Sequence, residues 1–227
     1  MLINLHGAGS SAGEQSVYSR LPERGAARGF IVITPDGTGT PRVWSFLGTT
    51  DYAYLDDVID SLPPGCVDPA RLYLAGISNG SAMAGFSVCG LHHHVAAIGL
   101  VAATVYPGTC DPPPTPVLAF HGTADPLVPY GGGTVANSGL PVAGAEAAMT
   151  KWAAKDGCAA TPTTTSLAPD VTQLDWAGCG AGLTVTLERV EGGGHTWPGS
   201  ATEVARLGAT TKSIDATAKF LDFFDQH

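Results

Sequence analysis

The sequence predicts an α/β fold of three layers, with a mostly parallel sheet of about six strands covered by helices on both faces. Three observations carry that prediction. Apolar runs alternate with stretches of helical spacing along the whole chain. The runs are almost continuously hydrophobic, as in strands buried on both faces. The 227 residues, 44% of them hydrophobic, suffice for the core of one ordinary domain, taken as residues 1–227.

The elements follow in order. Leu2 to Leu5 reads as a strand running straight into His6-Gly7, so the chain as it stands opens on structure and not on a signal peptide. Ser16 to Arg28 has helical spacing, Phe30 to Thr34 reads as a strand and Tyr52 to Leu62 as a helix. Arg71 to Ala75 is the next strand, followed by a helix over Gly80 to Cys89 and strands over Val95 to Ala102 and Pro116 to His121. Ala145 to Lys155 is helical and Leu183 to Val190 is the sixth strand. In the last helix Ile214, Ala218, Leu221 and Phe224 form one apolar stripe. Such alternation calls for right-handed crossovers in a parallel sheet. Ala160 to Trp176 is weakly patterned and lies between Cys158 and Cys179, so it reads as a stapled surface loop. The Pro-rich run Asp111 to Pro116 is a connection, because the chemical motifs straddle it.

Composition narrows the function classes. The formal net charge is −9, and no polybasic run offsets it, which excludes a nucleic-acid or anionic-membrane surface. The longest nearly apolar run, Val95 to Val105, falls far short of the ~20 residues that span a bilayer. The five cysteines form no C-x-x-C pair and none has zinc spacing with histidine. His92-His93-His94 cannot readily converge on one ion, since consecutive side chains diverge by about 100° on a helix and alternate on a strand. No metal and no cofactor is expected.

Gly76-Ile77-Ser78-Asn79-Gly80 matches G-x-S-x-G, and its context adds weight: a strand precedes it and a helix follows. In a nucleophile elbow the serine takes a strained turn that thrusts its hydroxyl outward, and the flanking glycines let backbones approach. A serine hydroxyl needs a base, and the base needs an acid. Asp125 follows the strand ending at His121, and His195 follows the last strand, within Gly194-His195-Thr196-Trp197-Pro198. All three fall at carboxyl ends of parallel strands, where α/β folds gather their sites. Taken singly, Asp125 is equally a turn residue before Pro126, and His195 a loop histidine. Their order and shared edge favour Ser78 as nucleophile, His195 as base and Asp125 as its partner.

Acyl transfer also needs donors for an oxyanion. The backbone N–H groups of Asn79, after the nucleophile, and Ala8, after the first strand, stand in suitable places. His6 and His121 precede glycine at strand ends and read as structural, bonding loop backbone. Trp44, Tyr130 and Trp197 lie in strand-end loops, as substrate-binding aromatics or as plain packing. Asp56-Asp57 reads as the solvated face of a helix.

At these residues the chain resembles the polyhydroxybutyrate depolymerase and feruloyl esterase (LpqC-like) family of α/β-hydrolases. The similarity runs over nearly the whole chain, through Leu5-His6-Gly7, Pro35-Asp36-Gly37, Asp56-Asp57-Val58, Val67 to Tyr73, the Ser-Asn-Gly elbow, His121-Gly122-Thr123-Ala124-Asp125, Val128-Pro129-Tyr130 and Gly194-His195-Thr196-Trp197-Pro198-Gly199. The resemblance implies an extracellular serine esterase of α/β-hydrolase fold. Two departures stand out. The antiparallel strands that usually precede the segment Leu2 to Leu5 are missing, which leaves an exposed sheet edge. Only about a dozen residues separate Ala103 from Pro116, where no cap domain fits.

The strand leading up from Cys66 and the helix running down to Cys89 should end near one sheet edge, which predicts a Cys66–Cys89 disulfide. Cys158–Cys179 is the second expected pair and Cys110 the odd thiol, with Cys89–Cys110 a rival pairing. The expected protein is a lidless, monomeric carboxylic ester hydrolase. Its ester substrate would be a polyester such as polyhydroxyalkanoate or polyethylene terephthalate, or a feruloyl or acetyl ester on polysaccharide. Acyl transfer on the same triad and a silent polymer-binding module are the alternatives.

Overall fold

A computed structural model describes residues 1–136 and 138–227. Its strands are β1 (Leu2–Leu5), β2 (Val32–Ile33), β3 (Tyr73–Ile77), β4 (Ala97–Val101), β5 (Val117–Gly122), β6 (Gly132–Thr134), β7 (Pro141–Ala143), β8 (Thr163–Ala168), β9 (Val171–Trp176) and β10 (Val185–Val190). The helices are α1 (Ala12–Ser19), α2 (Leu21–Ala26), α3 (Thr50–Asp60), α4 (Asn79–Gly90), α5 (Ala145–Lys155) and α6 (Ala216–Asp225). The main sheet has the order β2-β1-β3-β4-β5-β10-β9-β8. From β2 to β10 every pairing is parallel, and β9 and β8 continue the sheet antiparallel.

Period-two alternation sorts the strand residues between two cores. Ile3, Leu5, Leu74, Ile98, Leu100, Val117, Ala119 and Leu187 face α3, α4 and α5, where Leu55, Met83, Met149 and Trp152 close the layer. Leu2, Tyr73, Ala75, Val101, Leu118 and Phe120 face the other side, against Leu21, Phe220, Leu221 and Phe224. Asn4 also faces this second side; it is buried and bonded to the Ser19 hydroxyl at 3.1 Å and to the Gln15 amide at 2.9 Å, so its polar atoms are matched.

Several expectations need correction. The sheet has eight strands, because the segment read as a surface loop forms the β8–β9 hairpin. The outer strand, Thr-Thr-Thr-Ser-Leu-Ala, has no buried face, so the hydrophobic alternation that reveals a strand is missing from it. The expected sheet edge falls at β2, which pairs with β1 over two residues and has no strand beyond it among the described residues. The single helix read over Ser16 to Arg28 breaks at Arg20, whose φ of 56° is left-handed, and Pro22 opens the second piece. The last helix begins at Ala216, capped by the Asp215 carboxylate on the Ala218 N–H at 2.9 Å. Its buried face is therefore Ala216, Thr217, Phe220, Leu221 and Phe224. Asp56 is buried and accepts the His92 N–H at 3.1 Å, so it is no solvated residue.

The disulfides are Cys89–Cys110 and Cys158–Cys179, and Cys66 is free and exposed. The Cys66–Cys89 expectation is thus overturned. α4 ends at the amino edge of the sheet, and residues 102–116 must return from the top of β4 to the foot of β5, which carries Cys110 past that same helix end. That return carries no helix or strand among the described residues.

Candidate active site

Ser78 sits between β3 and α4 with φ 59° and ψ −122°, outside the regions open to ordinary L-residues. A conformation of this kind costs about 1–3 kcal/mol and persists only where the surroundings enforce it. They do so here through two glycines. A Cβ on Gly76 would lie 2.4 Å from the Gly80 carbonyl oxygen, and one on Gly80 would lie 2.4 Å from that of Leu5. The helix thus packs backbone to backbone on β1, and the Ser78 N–H donates to the Val101 carbonyl at 2.9 Å. Ser78 is half-buried, and its hydroxyl has no hydrogen-bond partner among the described residues.

Asp125 and His195 meet. β5 and β10 are neighbours, and past their ends the Ala124 N–H donates to the Gly193 carbonyl at 2.9 Å. A Cβ on Gly122 would lie 2.2 Å from the Gly193 carbonyl oxygen, so only glycine lets these turns close. Asp125 Oδ2 accepts from His195 Nδ1 at 2.8 Å, and Oδ1 accepts the N–H groups of Leu127 at 2.8 Å and Val128 at 2.9 Å. His195 is itself fixed, its N–H on the Leu207 carbonyl at 2.6 Å. Both side chains are buried.

Burial alone would raise the Asp125 pKa. Hydrogen bonds from His121 and His195, the positive charge His195 can carry and the Val128 N–H outweigh it, holding the carboxyl well below the usual carboxylate range. An ionised Asp125 requires the proton on His195 Nδ1, which leaves Nε2 with its lone pair free.

Ala8 is exposed in the turn after β1, which is tied down by the Gly9 N–H on the Arg42 carbonyl at 2.7 Å. The Asn79 backbone N–H opens α4, where helix donors lack internal partners. The Asn79 side chain clamps Trp44, accepting its N–H at 2.6 Å and donating to its carbonyl at 2.9 Å. Trp44 in turn gives its indole N–H to the His6 carbonyl at 3.0 Å, and His6 Nε2 accepts the Gly37 N–H at 2.9 Å.

The substrate-binding reading of Trp44 and Trp197 fails on burial. Trp44 is 2% and Trp197 1% exposed. The Trp197 indole N–H donates to the Thr217 hydroxyl at 3.0 Å, and its ring packs edge-on to Phe220. These are core residues whose N–H groups found partners inside. Tyr130 is half-buried, with its hydroxyl on Glu146 at 2.7 Å; burial and then that bond push its pKa up. The sequence reading missed the contact of His121 with Asp125, although the spacing His121-x-x-x-Asp125 at a strand end was visible. The Asn79 clamp had no sequence signal.

No protein-family profile matches the chain. It is 30% identical over 211 residues to Feruloyl esterase B of Piromyces equi, a match covering 86% of this chain and 39% of that protein. It is 28% identical to the Putative esterase NocK of Nocardia uniformis subsp. tsuyamanensis, over 98% of this chain and 73% of the relative. The chain thus spans about two-fifths of the length of the first relative and nearly three-quarters of the second. Among solved structures, an acetyl xylan esterase from Aspergillus awamori superposes with a TM-score of 0.64 at 13% identity, over 100% of this chain and 88% of that one. Esterase PE8 superposes with a TM-score of 0.61 at 19% identity, over 98% and 91%. The fold is that of the α/β-hydrolases.

Proposed function

We propose that the chain is a carboxylic ester hydrolase in which Ser78 is the nucleophile, His195 the general base and Asp125 its partner. The observation that carries the reading is the 2.8 Å bond between Asp125 Oδ2 and His195 Nδ1, at the sheet edge where Ser78 occupies its strained turn. With Nδ1 bound to the carboxylate, His195 Nε2 takes the Ser78 proton as Oγ attacks the ester carbonyl. The N–H groups of Ala8 and Asn79 stabilise the tetrahedral oxyanion, braced by the Asn79–Trp44–His6 network. The imidazolium then protonates the leaving alcohol, and a water activated by the same nitrogen releases the acid and restores Ser78.

The relatives named as feruloyl esterase and acetyl xylan esterase favour feruloyl or acetyl esters on plant polysaccharide over the polyesters that the sequence resemblance also suggested. The short β4–β5 connection leaves the site without a cap domain and open to a bulky ester. Two disulfides support an extracellular location. The enzyme acts as a monomer. The test is Ser78→Ala assayed on p-nitrophenyl acetate and methyl ferulate. Loss of turnover with an unchanged circular dichroism spectrum is expected, and retained turnover removes Ser78 from the mechanism. Rates on methyl ferulate, acetylated xylan and a polyhydroxybutyrate film then rank the substrates.

A further inference from the structure

We propose that His121 is a positioning residue that orients the Asp125 carboxylate toward His195 and tempers its charge, a role that rests on the triad proposed above. Asp125 carries two imidazoles. His195 Nδ1 lies 2.8 Å from Oδ2, and His121 Nε2 approaches the same oxygen at 3.4 Å while bonding the Val128 carbonyl at 3.0 Å. Two acceptors at Nε2 fix the proton there. The Thr104 hydroxyl, 3.2 Å from Nδ1, then donates to the remaining lone pair. The Val128 N–H is one of the two backbone donors on Asp125 Oδ1. His121 therefore holds both the carboxylate and the turn that cradles it.

Burial makes this arrangement consequential. His121 is 3% and Thr104 5% exposed, so neither imidazole nitrogen can exchange its partner for bulk water. The Tyr130 ring stands edge-on to His121 with centroids 5.6 Å apart. Beyond it the Tyr130 hydroxyl is bonded to Glu146 of α5, which pairs with Arg189 of β10 at 3.3 Å. The charged and titratable groups around His121 are thus Asp125 in direct contact, His195 across that carboxylate, and Tyr130 with the Glu146–Arg189 pair behind it.

The His121 N–H draws negative charge from Oδ2. Without it, more charge faces His195 Nδ1 and the imidazolium is stabilised, so the base is lost to protonation at a higher pH. The loosened carboxylate also misplaces the base.

The experiment measures kcat and KM for p-nitrophenyl acetate from pH 5 to 9 in His121→Phe, His121→Gln and Thr104→Val, with Ser78→Ala as the control. In His121→Phe, kcat is expected to fall roughly tenfold with KM little changed. The acid limb of kcat/KM should rise by about half a pH unit. His121→Gln, whose amide N–H reaches the Nε2 position, should return the limb to its original place. Thr104→Val, which keeps the imidazole but frees Nδ1, should move the limb the same way by less. A lower kcat with an unmoved acid limb makes His121 merely structural and overturns the proposal, as does a Gln variant that fails to restore it. If the Phe variant does not fold, Thr104→Val decides, and an unshifted limb there overturns the proposal too. Turnover by Ser78→Ala instead sinks the triad itself, a failure distinct from that of His121.

Discussion

One chemical change, glycine to alanine, should have opposite consequences at two helix starts. At Gly80 an added Cβ would meet the Leu5 carbonyl oxygen at 2.4 Å and that of His6 at 2.5 Å. Both obstacles are backbone, so the first turn of α4 must retreat from β1 by about 1 Å to restore ordinary contact. Overpacking of this kind costs about 3 kcal/mol at its upper end, and the gain in helix propensity returns about 1 kcal/mol. The net loss of about 2 kcal/mol lowers Tm by about 4 °C for a chain of this length. Because Gly80 lies two residues from Ser78, the same retreat displaces the hydroxyl and should reduce turnover about 100-fold. At Gly13, in the first turn of α1, a Cβ meets nothing within 4 Å. There the substitution should stabilise by about 0.5 kcal/mol and leave turnover unchanged. Urea melts followed by circular dichroism, with p-nitrophenyl acetate turnover measured in parallel, read both quantities. A Gly80→Ala protein as stable and active as its parent would refute the backbone-to-backbone packing behind the elbow.

Three further outcomes follow from buried groups and cross-links. Replacing Cys89 and Cys110 by Ser opens a loop with a sequence separation of 21 residues. The loss should be about 3 kcal/mol in a urea melt, and non-reducing peptide mapping of the parent should link Cys89 to Cys110 and leave Cys66 free to alkylate. Asp156 is buried with Oδ1 on the Thr115 N–H and Oδ2 unpartnered, and burial, opposed by Thr115 and Lys155, pushes its pKa up from 3.8 to about 6. Because the folded-state value is the higher, its favourable contribution is fully present below pH 3.8 and lost as the pH rises through 6. Asp156→Asn should therefore gain about 3 kcal/mol over the parent at pH 8 and close to nothing at pH 3, as urea melts at the two values would show. Glu188, buried on β10, depends on Lys219 at 2.7 Å. Lys219→Met should cost about 3 kcal/mol by stranding that carboxylate, and adding Glu188→Leu should recover most of it.

Most of the parallel strands were legible because β1, β3, β4 and β5 are buried along their whole length and read as largely apolar runs. β8 was hidden because Thr163–Ala168 buries nothing, and a strand without a dry face has no hydrophobic period. Ser78, Asp125 and His195 could be singled out because a strained elbow and two strand-end turns are local features with local residue signatures. The assignments of Trp44 and Trp197 failed for the opposite reason. A tryptophan in a strand-end loop can point into the core or the cleft, and only the partners of its N–H, here Thr217 for Trp197 and His6 for Trp44, decide which. The Cys66–Cys89 expectation placed one chain end correctly, at the foot of α4, but sequence alone gave no course for residues 102–116. His121 lies in plain view four residues before Asp125, yet its bond to Val128 exists only once the 125–128 turn has closed.

Intact-mass spectrometry of the protein treated with a fluorophosphonate, followed by peptide mapping, bears most directly on whether Ser78 is activated. One adduct on Ser78, abolished by His195→Ala in a protein that keeps its fold, is the expected result. A parent protein that takes no label, or a label on Ser78 that persists without His195, would contradict it.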